Sequence, residues 1–404
     1  MALQSGTFKS MKSIYNIRMK THILHVSDTH LGKTQYGSNL RAEDYAIAFD
    51  TTIDIAIEEN VDAVVHTGDL FDDRQPNTNT ISKAFSTVKR LEKENIPFLA
   101  IVGNHERKWD KQWIDIFKNL DNVHRLSPDE PFVINDSVSI FGFDSFRNLE
   151  WDNTDFELNI ESKNNAVLLC MHELFKELIP PVKAKRTIEP VFDKINVKPD
   201  AIALGDYHAA VDEVIQNTPV FYAGATERTS ATTADPTIRM IKFDGNKLQS
   251  YPWRKIEGVR ENVPRPFYTL DISLNDNSTR SYIKRVVTED IPVEELNESV
   301  VVLNITGSTD SSVTPKEAYS VLESLGIPVP YINDKRSPES LQFESYNSAD
   351  PTEIDIDNMI ENEIGDTVSD TVKEIETNYV RDLSFTKSHL RPKIEEKFEE
   401  GEIQ

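Results

Sequence analysis

Cysteine is almost missing from this chain: its 404 residues hold one, Cys170. No internal disulfide can form, which fits a reducing compartment. Cys170 lies in the apolar run AVLLCM, where a thiol is expected to pack as a small core residue. No apolar run approaches the ~18 residues needed to cross a bilayer, so no membrane span is expected. Basic residues are scarce too, with 44 Lys plus Arg against 68 Asp plus Glu and a net charge of −24. That balance argues against binding nucleic acid by bulk attraction; a grip on a polyanion must come from a local groove or from bound metal. The first 20 residues carry Lys9, Lys12, Arg18 and Lys20 but no apolar stretch, so they are not a secretory signal. They are expected to form a disordered leader, with Met11 or Met19 as alternative starts.

What is present is a set of short β-branched runs that each end in polar residues. The central one, VDAVVHTGDLFDD over Val61–Asp73, reads as a strand buried on both faces. It runs into Gly68, which permits a sharp turn, and then Asp69, with Asp72 and Asp73 behind it. Such strand ends are where open α/β sheets bind ligands. The pattern repeats. Thr21–Val26 leads to Asp28 and His30, two apart and so on one face if the backbone stays extended. Pro97–Val102 leads to Asn104 and His105, Ala166–Met171 to His172, and Pro199–Leu204 to Asp206 and His208.

Between these runs, Glu43–Glu59 and Thr78–Asn95 carry apolar residues at helical spacing. Trp113, Ile116, Phe117 and Leu120 mark another helix. Phe132–Ile134 and Val138–Phe143 read as a hairpin, Asp152–Asn165 as a polar surface loop, and Pro219–Ala223 and Thr237–Phe243 as strands. Beyond Pro264 the pattern changes to strand-like Phe267–Ser273 and Ser299–Ile305 with a helix over Lys316–Leu325, a small α+β domain reaching about residue 332. A polar linker follows. Asp350–Asp366 holds seven acids and no base, and Thr371–Gln404 has amphipathic helical stretches too short to bury their own apolar face.

Carboxylate, carboxamide and imidazole without thiolate suit Mn²⁺, Fe²⁺ or Zn²⁺. The donors exceed what one ion needs, so two ions sharing a carboxylate are expected. Two ions about 3.5–4 Å apart clamp the attacking and leaving oxygens of an in-line phosphoryl displacement.

In order and spacing, DTH, GDLFDD, GNHE, MHE and GDYH resemble the five motifs of the calcineurin-like metallophosphoesterases over roughly residues 21–245. HVSDTHLGKTQYG, GDLFDDRQP, VGNHE and YAGATER narrow the likeness to the archaeal-type meiotic recombination eleven family, the nuclease subunit of a DNA double-strand-break repair complex. The resemblance implies an α/β fold, a β-sandwich flanked by helices over residues 21–263. A capping, DNA-binding domain at 264–332, an acidic linker at 333–370 and a helical partner-binding segment at 371–404 would follow. It implies two Mn²⁺ ions. Asp28, His30 and His208 would hold the first, Asn104, His172 and Asp206 the second, with Asp69 bridging. His105 would face the scissile phosphate as the catalytic residue. Lys33, Tyr36, Asp72 and Arg74 lie in rim loops near the substrate. Implied partners are DNA ends, a coiled-coil ATPase subunit of the SMC type and a second copy of the chain, in the cytoplasm at the nucleoid.

Two positions depart from the family: Asp72 and Asp206 stand where it commonly has His. A carboxylate at 206 still ligates, whereas Asp72 would repel phosphate unless a cation such as Arg74 pairs with it. The expected activity is exonucleolytic on duplex and endonucleolytic on single-stranded DNA. A small-molecule phosphodiesterase with the same metal core, or a DNA-end scaffold with a decayed nuclease, are the rival expectations.

Overall fold

Two stacked sheets, of seven and six strands, carry the candidate residues at the ends of five of their strands. The computed structural model describes residues 20–336 except 109–110, 118, 161, 163, 257–263 and 310. Nearly all of the expected leader, most of the linker and the whole segment 371–404 lie outside the described residues.

The first sheet starts with β1 (Lys20–Val26), β2 (Ala63–Thr67), β3 (Phe98–Ile101) and β4 (Val123–Arg125), all parallel neighbours. The chain then crosses to a second sheet. There β5 (Phe132–Ile134) pairs antiparallel with β6 (Val138–Gly142), and β7 (Ala166–His172) and β8 (Ala201–Gly205) continue in parallel. The hairpin β9 (Val211–Ile215) and β10 (Thr218–Tyr222) completes that sheet. The chain returns to the first sheet with β11 (Thr237–Asp244), antiparallel to β1, followed by β12 (Lys247–Ser250) and β13 (Trp253–Lys255).

The sheets pack face to face through Ile23, Val65, Leu99, Ile140, Leu168, Cys170, Ala203 and Ile241. Strands covered on both faces must be apolar throughout, which is why β2, β3, β7 and β8 read as continuous runs rather than alternating ones. Cys170 is fully buried there. Helices Asn39–Glu58 and Thr78–Lys93 cover the outer face of the first sheet. The outer face of the second is covered by Phe156, Leu158, Trp151 and Phe175. The expected surface loop Asp152–Asn165 is therefore partly core: Phe156 and Leu158 are buried, reached through a short helix Asn148–Asn153. The sandwich flanked by helices is as expected.

The small domain holds β14 (Phe267–Leu274), β15 (Val300–Gly307) and β16 (Val329–Asp334), all parallel, with helices Arg280–Asp290 and Pro315–Ser324 between them. It is thus alternating α/β rather than α+β, and β16 runs two residues past the expected boundary at 332. It joins the sandwich through polar and aromatic contacts. Arg265 makes a bidentate pair with Asp44 (2.8 and 2.9 Å) and donates to the Glu298 carbonyl. Arg41, buried completely, binds Gln35, Asp44 and Glu227. No helix among the described residues is long and apolar enough to cross a membrane.

Candidate metal centre

β1, β2 and β3 are parallel, so their carboxyl ends lie along one edge, and β7 and β8 bring theirs to the same place from the other sheet. Three backbone bonds zip the first two strand ends together beyond the sheet: Asp28 N–H to the Gly68 carbonyl, His30 N–H to Asp69, and Leu31 N–H to Leu70. Asp28 and His30 do not converge by strand alternation, as the sequence suggested. Both have left-handed backbones (φ +51° and +40°), as do Asp69 (φ +57°) and Asp206 (φ +86°). Non-glycine residues held there cost of order 1–3 kcal/mol each, and such outliers gather at functional sites. Gly103 is required by close approach, since a Cβ there would sit 2.0 Å from Asp69 Oδ1.

The structure brings the seven ligand candidates together. His30 Nε2 and His208 Nε2 are 3.2 Å apart, and Asp28 Oδ1 is 3.7 Å from the latter. On the other side, His172 Nε2 lies 3.2 Å from Asn104 Oδ1 and 3.9 Å from Asp206 Oδ1. Asp69 stands between the two groups, its Oδ2 3.3 Å from His172 Nε2 and 3.9 Å from His30 Nε2. The outer nitrogens are held in turn. His172 Nδ1 faces the Thr67 carbonyl at 2.7 Å, so Nδ1 carries a proton and Nε2 is the atom turned toward the site. His208 Nδ1 lies 2.6 Å from Thr229 Oγ1, and His30 Nδ1 lies 3.1 Å from Asp72 Oδ1. All three imidazoles thus present Nε2 to one space.

The electrostatics fit divalent ions. Asp28 and Asp69 are buried and Asp206 nearly so. Burial pushes the Asp28 carboxyl up to about 7, with Asp69 and Asp206 adding to the effect against the opposing pull of His172. For Asp69 burial also acts upward, but His172 outweighs it and holds the carboxyl below its ordinary value. His172 is driven the other way: burial disfavours its cation, yet Asp69, Asp206 and Asp28 raise it well above the imidazole range. Burial lowers both His30 and His208, which keeps them neutral and able to ligate. Without added cations, this cluster can balance its carboxylates only by taking up protons. Oxygen and imidazole donors of this kind suit Mn²⁺, Fe²⁺ or Zn²⁺.

His105 sits at the rim, its ring 4.8 Å from that of His30. Its backbone N–H donates to Asp69 Oδ1 (3.0 Å) and its Nδ1 faces the Asp72 carbonyl (3.1 Å), so any action on substrate falls to Nε2. Behind it the buried Glu106 carboxylate accepts from the Phe71 and Gly103 N–H groups, tying the second and third strand ends together.

The rim residues differ from expectation. Asp72 pairs with Lys33 at 2.8 Å rather than with Arg74, which is exposed and whose carbonyl accepts from Trp113. Tyr36 packs its ring 4.4 Å from Tyr331 and 6.2 Å from Phe267, both of the small domain. His25 and His66 are buried against Thr67 and Thr29 as structural residues. Sequence reasoning missed Thr67, whose carbonyl carries no side-chain signal, and Thr229, which directly follows the YAGATER stretch. It also missed Lys185, in the basic run Lys183–Arg186, whose Nζ lies 3.8 Å from Asp206 Oδ2. A separate cavity of about 500 Å³ between Arg107, Arg125 and Glu150 holds none of the seven ligand candidates.

Residues 21–210, which include every ligand candidate and His105, match the calcineurin-like phosphoesterase family. With the buried donor set, this makes the chain a metal-dependent phosphoesterase. It is 32% identical over 377 residues to the DNA double-strand break repair protein Mre11 of Halobacterium salinarum, covering 92% of each chain. It is 34% identical to the Mre11 protein of Haloferax volcanii, over 78% of this chain and 68% of that one. A Methanosarcina acetivorans Mre11 protein is 35% identical over 80% of this chain, which spans about half (52%) of its length. The chain belongs to the Mre11 family.

Proposed function

We propose that the chain is a two-metal, manganese-dependent DNA nuclease that cuts phosphodiester bonds at DNA ends in double-strand-break repair, exonucleolytically on duplex and endonucleolytically on single strands. The observation that carries this reading is the convergence of seven oxygen and imidazole donors, with His105 beside them, in a chain of the Mre11 family. Asp28, His30 and His208 would hold one ion and Asn104, His172 and Asp206 a second, with Asp69 available to both groups. When bound, the ions supply Lewis acidity to water and to the phosphoryl oxygens. The protein's own part is positional. Thr67 and Thr229 orient His172 and His208, Glu106 fixes the loops bearing Asp69 and Asn104, and His105 offers Nε2 to the developing charge or to the leaving oxygen.

Residues 264–332 act as the DNA-capping domain, and 371–404 dock a coiled-coil ATPase subunit, with the nuclease working as a homodimer on DNA in the cytoplasm. The test is to incubate the purified chain with Mn²⁺ and compare labelled linear duplex, single-stranded DNA and a generic phosphodiester. Cutting of both DNAs supports the reading; cutting of the small ester alone defeats it. Truncation at about residue 345 should leave cutting of single strands intact and abolish co-purification with the ATPase.

A further inference from the structure

Two carboxylates of the site, Asp72 and Asp206, each have a lysine beside them. Asp72 Oδ1 is 2.8 Å from Lys33 Nζ, and Asp206 Oδ2 is 3.8 Å from Lys185 Nζ. The geometry at Asp206 is divided. Oδ1 faces the interior, 3.9 Å from His172 Nε2, while Oδ2 faces Lys185 at the rim.

Lys185 has an exposed side chain on a well-anchored backbone. Its backbone N–H donates to the Leu174 carbonyl, two residues beyond His172, and the neighbouring Arg186 N–H donates to the same oxygen. Arg186 is locked by Glu173 at 2.7 Å and lies over the Trp151 ring. The segment 176–186 is therefore a loop closed at its neck beside the second half of the metal centre, and the Lys176 N–H to Arg186 carbonyl bond completes that neck. A second lysine of the loop, Lys183, sits 5.9 Å from the ring of Tyr207, the residue after Asp206.

We propose that Lys185 is the charge partner of Asp206 and a phosphate-contacting residue of the site. The inference rests on the phosphoesterase reading and deepens it. A neutral imidazole ligates without adding charge, whereas a carboxylate adds one negative charge next to the position a phosphate must occupy. An ammonium on the other oxygen restores neutrality to the ligand and turns a cation toward the substrate. Lys33 performs the same service for Asp72 at the first half. With both pairs formed, the acidic residues at 72 and 206 cost the site none of its attraction for an anion.

The two roles of Lys185 give opposite signs in a binding experiment. The full chain, its Lys185→Gln and Lys185→Arg variants, and Asp206→His with and without Lys185→Gln are titrated with Mn²⁺ and then, Mn²⁺-loaded, with inorganic phosphate. Lys185→Gln should bind phosphate about fivefold more weakly, the scale of one charge contact about 4 Å away in water. The same variant should bind Mn²⁺ severalfold more tightly, because Asp206 no longer shares its charge with an ammonium. Arginine at 185 should restore both affinities. In the Asp206→His background, removing the lysine should still weaken phosphate but leave Mn²⁺ affinity unchanged. A merely structural lysine would weaken both ligands together, and an idle one would move neither; any result other than opposite movement overturns the proposal. Because inorganic phosphate is the probe, failure to cut DNA would sink the nuclease reading without deciding this test.

Discussion

Thr229 offers the sharpest test of how the metal centre is held. Its Oγ1 lies 2.6 Å from His208 Nδ1 in a site where Thr229 is only 3% exposed. Thr229→Val keeps the shape of the side chain and removes the acceptor. In the metal-free variant the ring is able to turn toward another partner. Binding an ion through Nε2 fixes Nδ1 against a methyl group, so the penalty falls on the metal-bound state. Leaving a buried polar group unpaired costs about 1–3 kcal/mol. At about 1.4 kcal/mol per tenfold this corresponds to roughly 10- to 100-fold in affinity, the range seen for outer partners of histidine ligands. Calorimetric titration with Mn²⁺ should show one class of site weakened by that factor. The other should be unchanged, because His172 is propped by the Thr67 carbonyl and not by Thr229. Equal weakening of both classes, or of neither, would refute the division of the centre into halves with separate supports.

Three further outcomes are expected. His105→Ala should abolish DNA cleavage while elemental analysis still finds both ions; loss of an ion in step with activity would give His105 a ligand's role instead. Arg41→Met should lower stability by about 3–5 kcal/mol in denaturant unfolding, because Glu227 is left buried with its cation gone, and adding Glu227→Gln should recover part of the loss; a cost below about 1 kcal/mol would show the network to be dispensable. Burial depresses His66 to about 3, so the unfolded chain takes its proton first as pH falls. The contribution of this group is complete above about 6.5 and is lost toward pH 3, by about 3 kcal/mol between pH 7 and pH 4. His66→Phe should flatten the acid limb of the metal-free protein's stability curve by that amount, and an unchanged limb would contradict the burial argument.

The ligand candidates were legible because a doubly buried strand leaves little ambiguity about where it stops. In AVLLCMH the run ends at the sheet's edge and its last side chain, His172, falls into the site; in VDAVVHTGD the strand continues through His66 and Thr67, and Asp69 follows the Gly68 turn into the site. The small domain was harder to read. Arg280–Asp290, RSYIKRVVTED, buries only Ile283 and Val287, so its helical stripe is too thin to stand out, and without it the parallel connection from β14 to β15 goes unseen. Phe156 and Leu158 were lost among polar neighbours because two anchors suffice to pin an irregular segment to a core. At the rim, sequence distance misled: Asp72 finds its cation 39 residues away in Lys33, while Arg74, two residues on, has its backbone carbonyl engaged by Trp113. Asp206 likewise meets Lys185 across a loop that no local pattern connects to it.

The left-handed backbone at Asp28, His30, Asp69 and Asp206 bears on how this centre can vary. Asp, Asn and His are the side chains that tolerate such a conformation several-fold better than others, and they are also metal or near-metal donors. The set of residues the backbone accepts therefore overlaps with the set the chemistry accepts, and an exchange of His for Asp at 206 stays within both. Alanine does not. A control that replaces any of these four by alanine removes a donor and strains the turn at once, so its phenotype reads two losses as one. Asparagine at 28, 69 or 206 changes charge alone, and is the substitution that separates what the ion needs from what the chain needs.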